Sequence, residues 1–187
     1  MLDLQLLLAV NEIAIAAGSE ILDVYNSGQQ IDVTTKQDDS PLTDADRRAN
    51  RLIVEQLGRL TPDIPLLSEE SDPVDYTLRK SWQRYWLIDP LDGTKEFISR
   101  NGEFTVNIAL IENGESVAGI IHGPVTRMSY YGAAGIGAWK RDCSRPDSAA
   151  RSIASRPMQE NSGVRIVASR RHLGEQLDAL VSKLEDR

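Results

Sequence analysis

Apolar residues recur at helical spacing through the first two dozen positions, at Leu6, Val10, Ile13, Ala17, Ile21 and Val24. The period predicts an amphipathic helix over residues 2–25, ending near Gly28. Residues 31–35 alternate as a short strand, and the polar run 36–41 after it reads as a turn. A second helix is predicted over residues 44–60, with Thr43 as its N-cap and Pro62 closing it. Beyond Pro65 the period shortens to that of strands: Leu66-Leu67, an acidic loop at 68–71, then a hydrophobic strand at 85–88. Phe104, Val106, Ile108 and Leu110 alternate, Asn113-Gly114 supplies a hairpin turn, and residues 116–122 return. Short strands are predicted at 128–131, 137–140 and 151–154, with a Gly-rich hairpin at 132–137 and a polar loop at 141–150. A last strand at 164–168 leads into a helix at 173–184. Helices come first and an antiparallel run follows, so the class is α+β.

Composition narrows what such a chain can do. Its 187 residues suffice for one well-packed domain or two small ones. With 21 Lys and Arg against 28 Asp and Glu the formal charge is −7, which argues against gripping nucleic acid through phosphate contacts. An acidic protein with an anionic substrate must recruit positive charge from elsewhere. The single Cys143 cannot form an internal disulfide and reads as a thiol without chemistry. The apolar N-terminus is not a signal peptide, because Asp3 stands where a basic region belongs and Asn11 and Glu12 interrupt the run. No stretch reaches the ~18–20 apolar residues of a membrane span. A cytoplasmic protein is expected, with peripheral association at the inner membrane's cytoplasmic face left open.

Candidate chemistry concentrates in Asp89-Pro-Leu-Asp-Gly-Thr-Lys-Glu-Phe97. A hydrophobic strand ends in Asp89, Pro90 interrupts regular pairing, and Asp92 precedes Gly93, which permits a tight turn. Two carboxylates with the Leu91 carbonyl between them form a hard-oxygen set suited to Mg²⁺. Residues 93–97 could open a helix whose first amides face an anion. An Asp-Gly turn with Asp89 as a cap explains the same residues without a metal. The Ser-Glu-Glu-Ser run at 68–71 is equally readable as solvated acids. Asp46, three after Thr43, is equally readable as half of a capping box.

Taken together, Ser-Pro-Leu-Thr-Asp-Ala-Asp at 40–46, Ser-Glu-Glu at 68–70 and Trp-Leu-Ile-Asp-Pro-Leu-Asp-Gly-Thr-Lys-Glu-Phe at 86–97 resemble the inositol monophosphatase superfamily of Mg²⁺-dependent, lithium-sensitive phosphatases. The resemblance runs essentially from end to end. Lys95-Glu96-Phe97, and Asn-Gly-Glu-Phe-Thr-Val-Asn-Ile-Ala-Leu-Ile at 101–111, are similar to the CysQ type within it. These are the 3′(2′),5′-bisphosphate nucleotidases of sulfur assimilation, which convert adenosine 3′,5′-bisphosphate to AMP and phosphate. The resemblance implies a layered α/β sandwich, with an N-terminal metal-site domain over 1–155 and the start of a C-terminal α/β domain at 156–187. It implies Mg²⁺ held by Glu69, Asp89, the Leu91 carbonyl and Asp92. Asp46 and Thr94 would orient and deprotonate the attacking water. The amides of Gly93 and Thr94 would hold the scissile phosphate, with Glu69, Leu91 and Asp92 bordering the substrate. From the Ser-Arg-x-His run, Ser169, Arg170 and His172 are candidate nucleotide contacts, with a helix cap and solvated basic neighbours as the alternative.

Implied partners are a small phosphorylated nucleotide and no nucleic acid; a homodimer is among the assemblies left open. Lys36 is a candidate site residue or an exposed lysine, His122 is read as structural, and Trp82, Trp86 and Trp139 as packing residues. No Walker loop, dinucleotide glycine motif or His/Cys zinc cluster competes. Relatives carry a later Trp-Asp-x-Ala-Ala-type segment whose Asp adds a metal ligand. No tryptophan here precedes an Asp, and the sequence stops at Arg187. Greatly reduced activity is therefore expected of these 187 residues. Two other readings stand: an inositol monophosphatase with the same metal site, disfavoured by Lys95-Glu96-Phe97, and a truncated domain binding metal or nucleotide without turnover.

Overall fold

Helix α1 (Leu4–Asn26) opens where Asp3 accepts the Leu6 amide at 2.8 Å, so the first orphan donor of the helix is satisfied. Val10, Ile13, Ala17 and Ile21 of the expected stripe are buried, joined by Leu7 and Ala14, with Leu6 and Val24 on its margin. The computed structural model describes residues 2–28, 32–35, 41–145, 147–157 and Ser182. Strands β1 (Val33–Thr35) and β2 (Pro41–Thr43) pair antiparallel as a small ribbon. The second of these corrects the sequence reading, in which Pro41 closed a turn. Helix α2 (Asp44–Leu60) has its expected bounds and buries Ala45, Ala49, Ile53 and Leu57.

The main sheet has seven strands in sequence order: β3 (Leu66–Ser68), β4 (Arg84–Asp92), β5 (Thr105–Glu112), β6 (Glu115–Gly123), β7 (Met128–Ala133), β8 (Gly137–Asp142) and β9 (Arg151–Ser152). From β4 onward neighbours are antiparallel, as expected, but β3 joins β4 parallel. That crossover contains a short helix, α3 (Tyr76–Arg79), which the sequence reading missed. Strand β9 stops at Ser152, short of its expected end.

Register sorts the strands into two faces. Ile88, Ile108, Ile120, Tyr131 and Trp139 stand in one cross-strand row, and Trp86, Leu110, Ala118 and Ala133 in another. These rows meet α1 and α2 and form the core. Trp86 hydrogen-bonds the Thr61 hydroxyl through its indole, Trp139 stacks on Tyr131, and Trp82 packs on Tyr85, as packing residues should. The opposite face carries Leu67, Leu87, Ala109 and Gly119 in one row and Asp89, Asn107, Ile121 and Tyr130 in the next. Leu87, Ile121 and Tyr130 are exposed there, over a groove of about 830 Å³.

Two compact units divide the chain, Met1–Ala154 and Ser155–Arg187. All the elements above belong to the first. The strand expected at 164–168 lies outside the described residues, as does the helix at 173–184 apart from Ser182, which is helical. Among the described residues no helix is long and apolar enough to cross a membrane.

One close approach fixes how α1 sits on the sheet. A Cβ on Gly18 would lie 2.6 Å from Cδ2 of the buried His122 ring and 3.3 Å from Pro124 Cγ. Gly18→Ala, although a better helix former, forces a buried ring to move. We expect a net loss of about 1–2 kcal/mol, read as a lower urea midpoint with an unchanged slope. His122 itself is 4% exposed, and burial holds its imidazole down to about 4. Its neutral form is favoured in the fold, so its contribution is complete above the ordinary value of 6.5 and is lost as pH falls towards 4. Stability should drop by up to about 3 kcal/mol across that window. Urea unfolding at a series of pH values checks this, and His122→Gln should remove that component of the slope.

Candidate active site

Strand β4 does not end at Asp89 as its sequence suggested. It continues through Pro90 to Asp92, with a register shift between Asp89 and Asp92. Asp89 pairs with Asn107 and Asp92 with Thr105, so three steps on β4 match two on β5. On a regular strand positions 89 and 92 would point to opposite faces, since side chains alternate. The bulge absorbs the extra residue and returns both carboxylates to the outer face. Pro90 is harmless there, because a bulge needs no ladder hydrogen bond from its nitrogen.

Parallel pairing of Ser68 with Ile88 brings the acidic turn after β3 beside the same bulge, and the Glu69 amide donates to the Ile88 carbonyl at 3.0 Å. Helix α2 fastens this turn. Asn50 accepts the Ser68 hydroxyl at 2.7 Å and donates to the Glu70 carbonyl at 3.0 Å. Glu69, Asp89 and Asn107 share the outer groove. Burial first, then the charges of Glu69 and Asp92, raise the Asp89 carboxyl to about 7.

After Asp92 the chain turns at Gly93, whose φ is +96° and whose Cβ would meet the Glu103 carbonyl at 3.0 Å. Glycine is required at this position. Helix α4 (Thr94–Ile98) follows, so the helix anticipated at 93–97 is present in a five-residue form. Phe97 anchors it, fully buried, with ring centroids 5.3 Å from Phe104 and 5.4 Å from Tyr25.

Thr94, so placed, reaches α2. Its hydroxyl lies 3.2 Å from Asp46 Oδ1 and 3.3 Å from the Leu91 carbonyl, two acceptors for one proton. Asp46 is fully buried and uses its other oxygen for the helix cap: Oδ2 accepts the Thr43 amide at 2.7 Å and the Thr43 hydroxyl at 2.5 Å. The capping and chemical readings of Asp46 thus both hold, one on each oxygen. Burial raises its carboxyl, opposed by the bonds from Thr43 and then from Thr94.

Of the residues singled out in the sequence, Glu69, Asp89 and Asp92 therefore gather on the outer face at the end of β4, and Gly93 and Thr94 follow them in the turn, where the Thr94 hydroxyl links the Leu91 carbonyl to Asp46, buried on α2. Lys36, Ser169, Arg170 and His172 lie outside the described residues. Sequence reasoning missed Asn50 and Asn107. Asn50 is one helical turn from Asp46, and Asn107 is a polar residue on the non-core phase of an alternating strand; those spacings were the available signals. His122 is buried on the helix side, away from these groups, as a structural residue.

Asp89, Asp92, Glu69 and the Leu91 carbonyl supply only oxygen, the donor set of a hard divalent cation. Among the described residues no three acidic, imidazole or thiol side chains converge tightly enough to hold an ion by themselves. Burial, and then the charges of Glu69 and Asp92, disfavour ionised Asp89, and a cation at the same place would offset both, so the chemistry of the donor set fits such an ion.

Comparison with known proteins agrees with the motifs. Residues 3–185 match the model of the inositol monophosphatase family. A 3′(2′),5′-bisphosphate nucleotidase CysQ of Salmonella typhimurium is 56% identical over 134 residues, 72% of this chain and 54% of its own. That of Aggregatibacter actinomycetemcomitans is 36% identical over 183 residues, 98% of this chain and 66% of its own. The crystal structure of CysQ from Bacteroides thetaiotaomicron superimposes with a TM-score of 0.77 at 36% identity, over 97% of this chain and 68% of that one. An IMPase from Thermotoga maritima gives 0.60 at 28% identity, over 69% and 48%. The chain spans about half the length of the Salmonella relative.

Proposed function

The chain belongs to the inositol monophosphatase family, and we propose that it serves as a Mg²⁺-dependent phosphatase of the bisphosphate nucleotidase type, releasing the 3′-phosphate of adenosine 3′,5′-bisphosphate to leave AMP. The observation that carries this reading is the hydrogen bond between Thr94 and Asp46, 48 positions apart, beside a face bearing Asp89 and Asp92. The nucleotidase names of relatives at 56% and 36% identity support the substrate class.

In this reading Glu69, Asp89, Asp92 and the Leu91 carbonyl would hold Mg²⁺. When bound, the ion lowers the pKa of water and offsets charge on the phosphoryl oxygens. Asp46 Oδ2 is committed to Thr43, which fixes the direction of Oδ1. Oδ1 takes the Thr94 proton, leaving the lone pairs of the threonine oxygen to accept from the attacking water. A hydroxyl alone is a poor base; the buried carboxylate behind it makes it a better acceptor. The amides of Gly93 and Thr94 are donors for the phosphoryl oxygens. With α4 only five residues long they act as individual donors, with little help from a helix dipole. Ser169, Arg170 and His172 are proposed contacts for the nucleotide, an Arg fork being well matched to a second phosphate. The chain's excess of acid thus becomes the means of recruiting the cation that an anionic substrate needs.

Phosphate release from adenosine 3′,5′-bisphosphate and from inositol 1-phosphate, each with Mg²⁺ and with EDTA, tests the proposal. Mg²⁺-dependent release favouring the nucleotide is expected. Faster release from inositol 1-phosphate overturns the nucleotide assignment. Calorimetric binding of both ligands without any turnover supports a binding domain instead.

A further inference from the structure

Asn107 sits across the β4–β5 ladder from Asp89, and its amide nitrogen donates to Asp92 Oδ2 at 2.9 Å. Two residues back on the same strand face, the Thr105 hydroxyl donates to Asn107 Oδ1 at 3.1 Å. We propose that Asn107, locked by Thr105, is a positioning residue that fixes the Asp92 carboxylate for a small octahedral cation. The inference rests on the metal-site reading above and adds to it two residues that touch neither metal nor substrate.

An asparagine amide has a donor end and an acceptor end, and nothing intrinsic decides which faces a neighbour. Here the Asp92 carboxylate can only accept and so takes the donor end, and the Thr105 hydroxyl donates to the acceptor end and holds the amide there. The flipped amide would set its carbonyl against a carboxylate and its NH₂ against a hydroxyl that has lost its acceptor. Engaging Oδ2 leaves Oδ1 as the oxygen aimed elsewhere and removes the free rotation of the carboxylate about χ2. A neutral donor achieves this without a competing cation, which a lysine or arginine at 107 would introduce among Asp89, Asp92 and Glu69. Asp92 is itself exposed, so without Asn107 its carboxylate would sample several rotamers in water.

Mg²⁺ demands near-ideal octahedral geometry, whereas Ca²⁺ tolerates variable coordination. Loss of a carboxylate's orientation should therefore weaken Mg²⁺ far more than Ca²⁺. Metal binding to wild type, Asn107→Ala and Thr105→Val is measured by titration calorimetry with each ion, beside melting temperatures in EDTA. Asn107→Ala is expected to weaken Mg²⁺ by about 10–100-fold, the usual consequence of removing a partner of a ligand. Its Ca²⁺ affinity should change little, and its melting temperature in EDTA should stay near that of the wild type. Thr105→Val keeps the β-branched shape and the asparagine but unlocks the amide; a smaller loss of Mg²⁺ affinity, with the same selectivity pattern, is expected. Wild-type Mg²⁺ affinity in Asn107→Ala overturns the proposal and leaves the metal site standing. Equal weakening of both ions, matched by a fall in melting temperature, also overturns it, because that is the signature of general loosening. A wild-type chain that binds neither ion overturns the metal-site reading itself, and this inference with it.

Discussion

Asp89→Asn is expected to abolish the response of the protein to Mg²⁺. The wild-type fold should gain stability from the ion according to its occupancy, about 2.7 kcal/mol at a hundredfold excess over the dissociation constant. For a chain of this size that is a rise in melting temperature of about 5–10 °C. The asparagine variant should show almost none of it, since an amide offers one neutral oxygen where a carboxylate offered a charge. Phosphate release, where the chain turns over, should fall by at least ~10³-fold, as expected when a charge-stabilising group is removed from a phosphoryl-transfer site. The metal-free variant should be no less stable than metal-free wild type, because burial and then the charges of Glu69 and Asp92 disfavour the ionised carboxyl and a neutral amide escapes both. Thermal melts with Mg²⁺ and with EDTA separate the two effects. A full Mg²⁺ shift in Asp89→Asn removes this residue from the site.

Phe97→Ala should be the most damaging single truncation away from the acids. The ring is completely buried and touches Tyr25 and Phe104 edge-on or tilted, so its loss leaves a cavity bounded by α1, α4 and the start of β5. Such truncations cost about 3–5 kcal/mol, a large share of the 5–15 kcal/mol typical of a whole fold. Guanidinium or urea unfolding would show it directly. The same substitution should lower activity at temperatures where the variant is still folded, because Phe97 anchors α4 on Tyr25 and Phe104, and α4 carries Thr94 to its hydrogen bond with Asp46. Phe97→Leu, which refills most of the cavity, should recover most of the stability. Activity that is untouched in folded Phe97→Ala would show that Thr94 does not depend on this anchor.

Much of this fold was legible because its periodicities are long and clean. α1 and α2 declared themselves by spacing, and the β5–β6 hairpin by alternation around Asn113-Gly114. The parts that were not legible are short or depend on partners. β2 is three residues long and exists only through pairing with β1, and α3 is a single turn inside a crossover. At the site, the motifs named the acids but their geometry was hidden. A period of two places Asp89 and Asp92 on opposite faces, and only the pairing with Asn107 and Thr105 reveals otherwise. Asp46 was ambiguous for a sound reason, since a carboxylate has two oxygens and this one uses each for a different purpose. Asn107 escaped notice because an amide in a strand carries no charge to draw attention, and its partners are a carboxylate on the next strand and a hydroxyl two residues away.

The β4 bulge also makes the number of residues between Asp89 and Asp92 as consequential as their identity. With one residue fewer, an Asp-x-Asp strand would keep both acids on one side by plain alternation, and an unbroken ladder would then claim the backbone oxygens between them. With one residue more, plain alternation would again put both acids on one side, and only if the bulge were kept would the second acid turn towards the apolar helix side. Two intervening residues are the smallest count that aligns both acids and still releases a main-chain oxygen. Insertions and deletions of a single residue here should therefore be tolerated less well than many substitutions at Pro90 or Leu91, even though they would leave every charged group of the site in the chain.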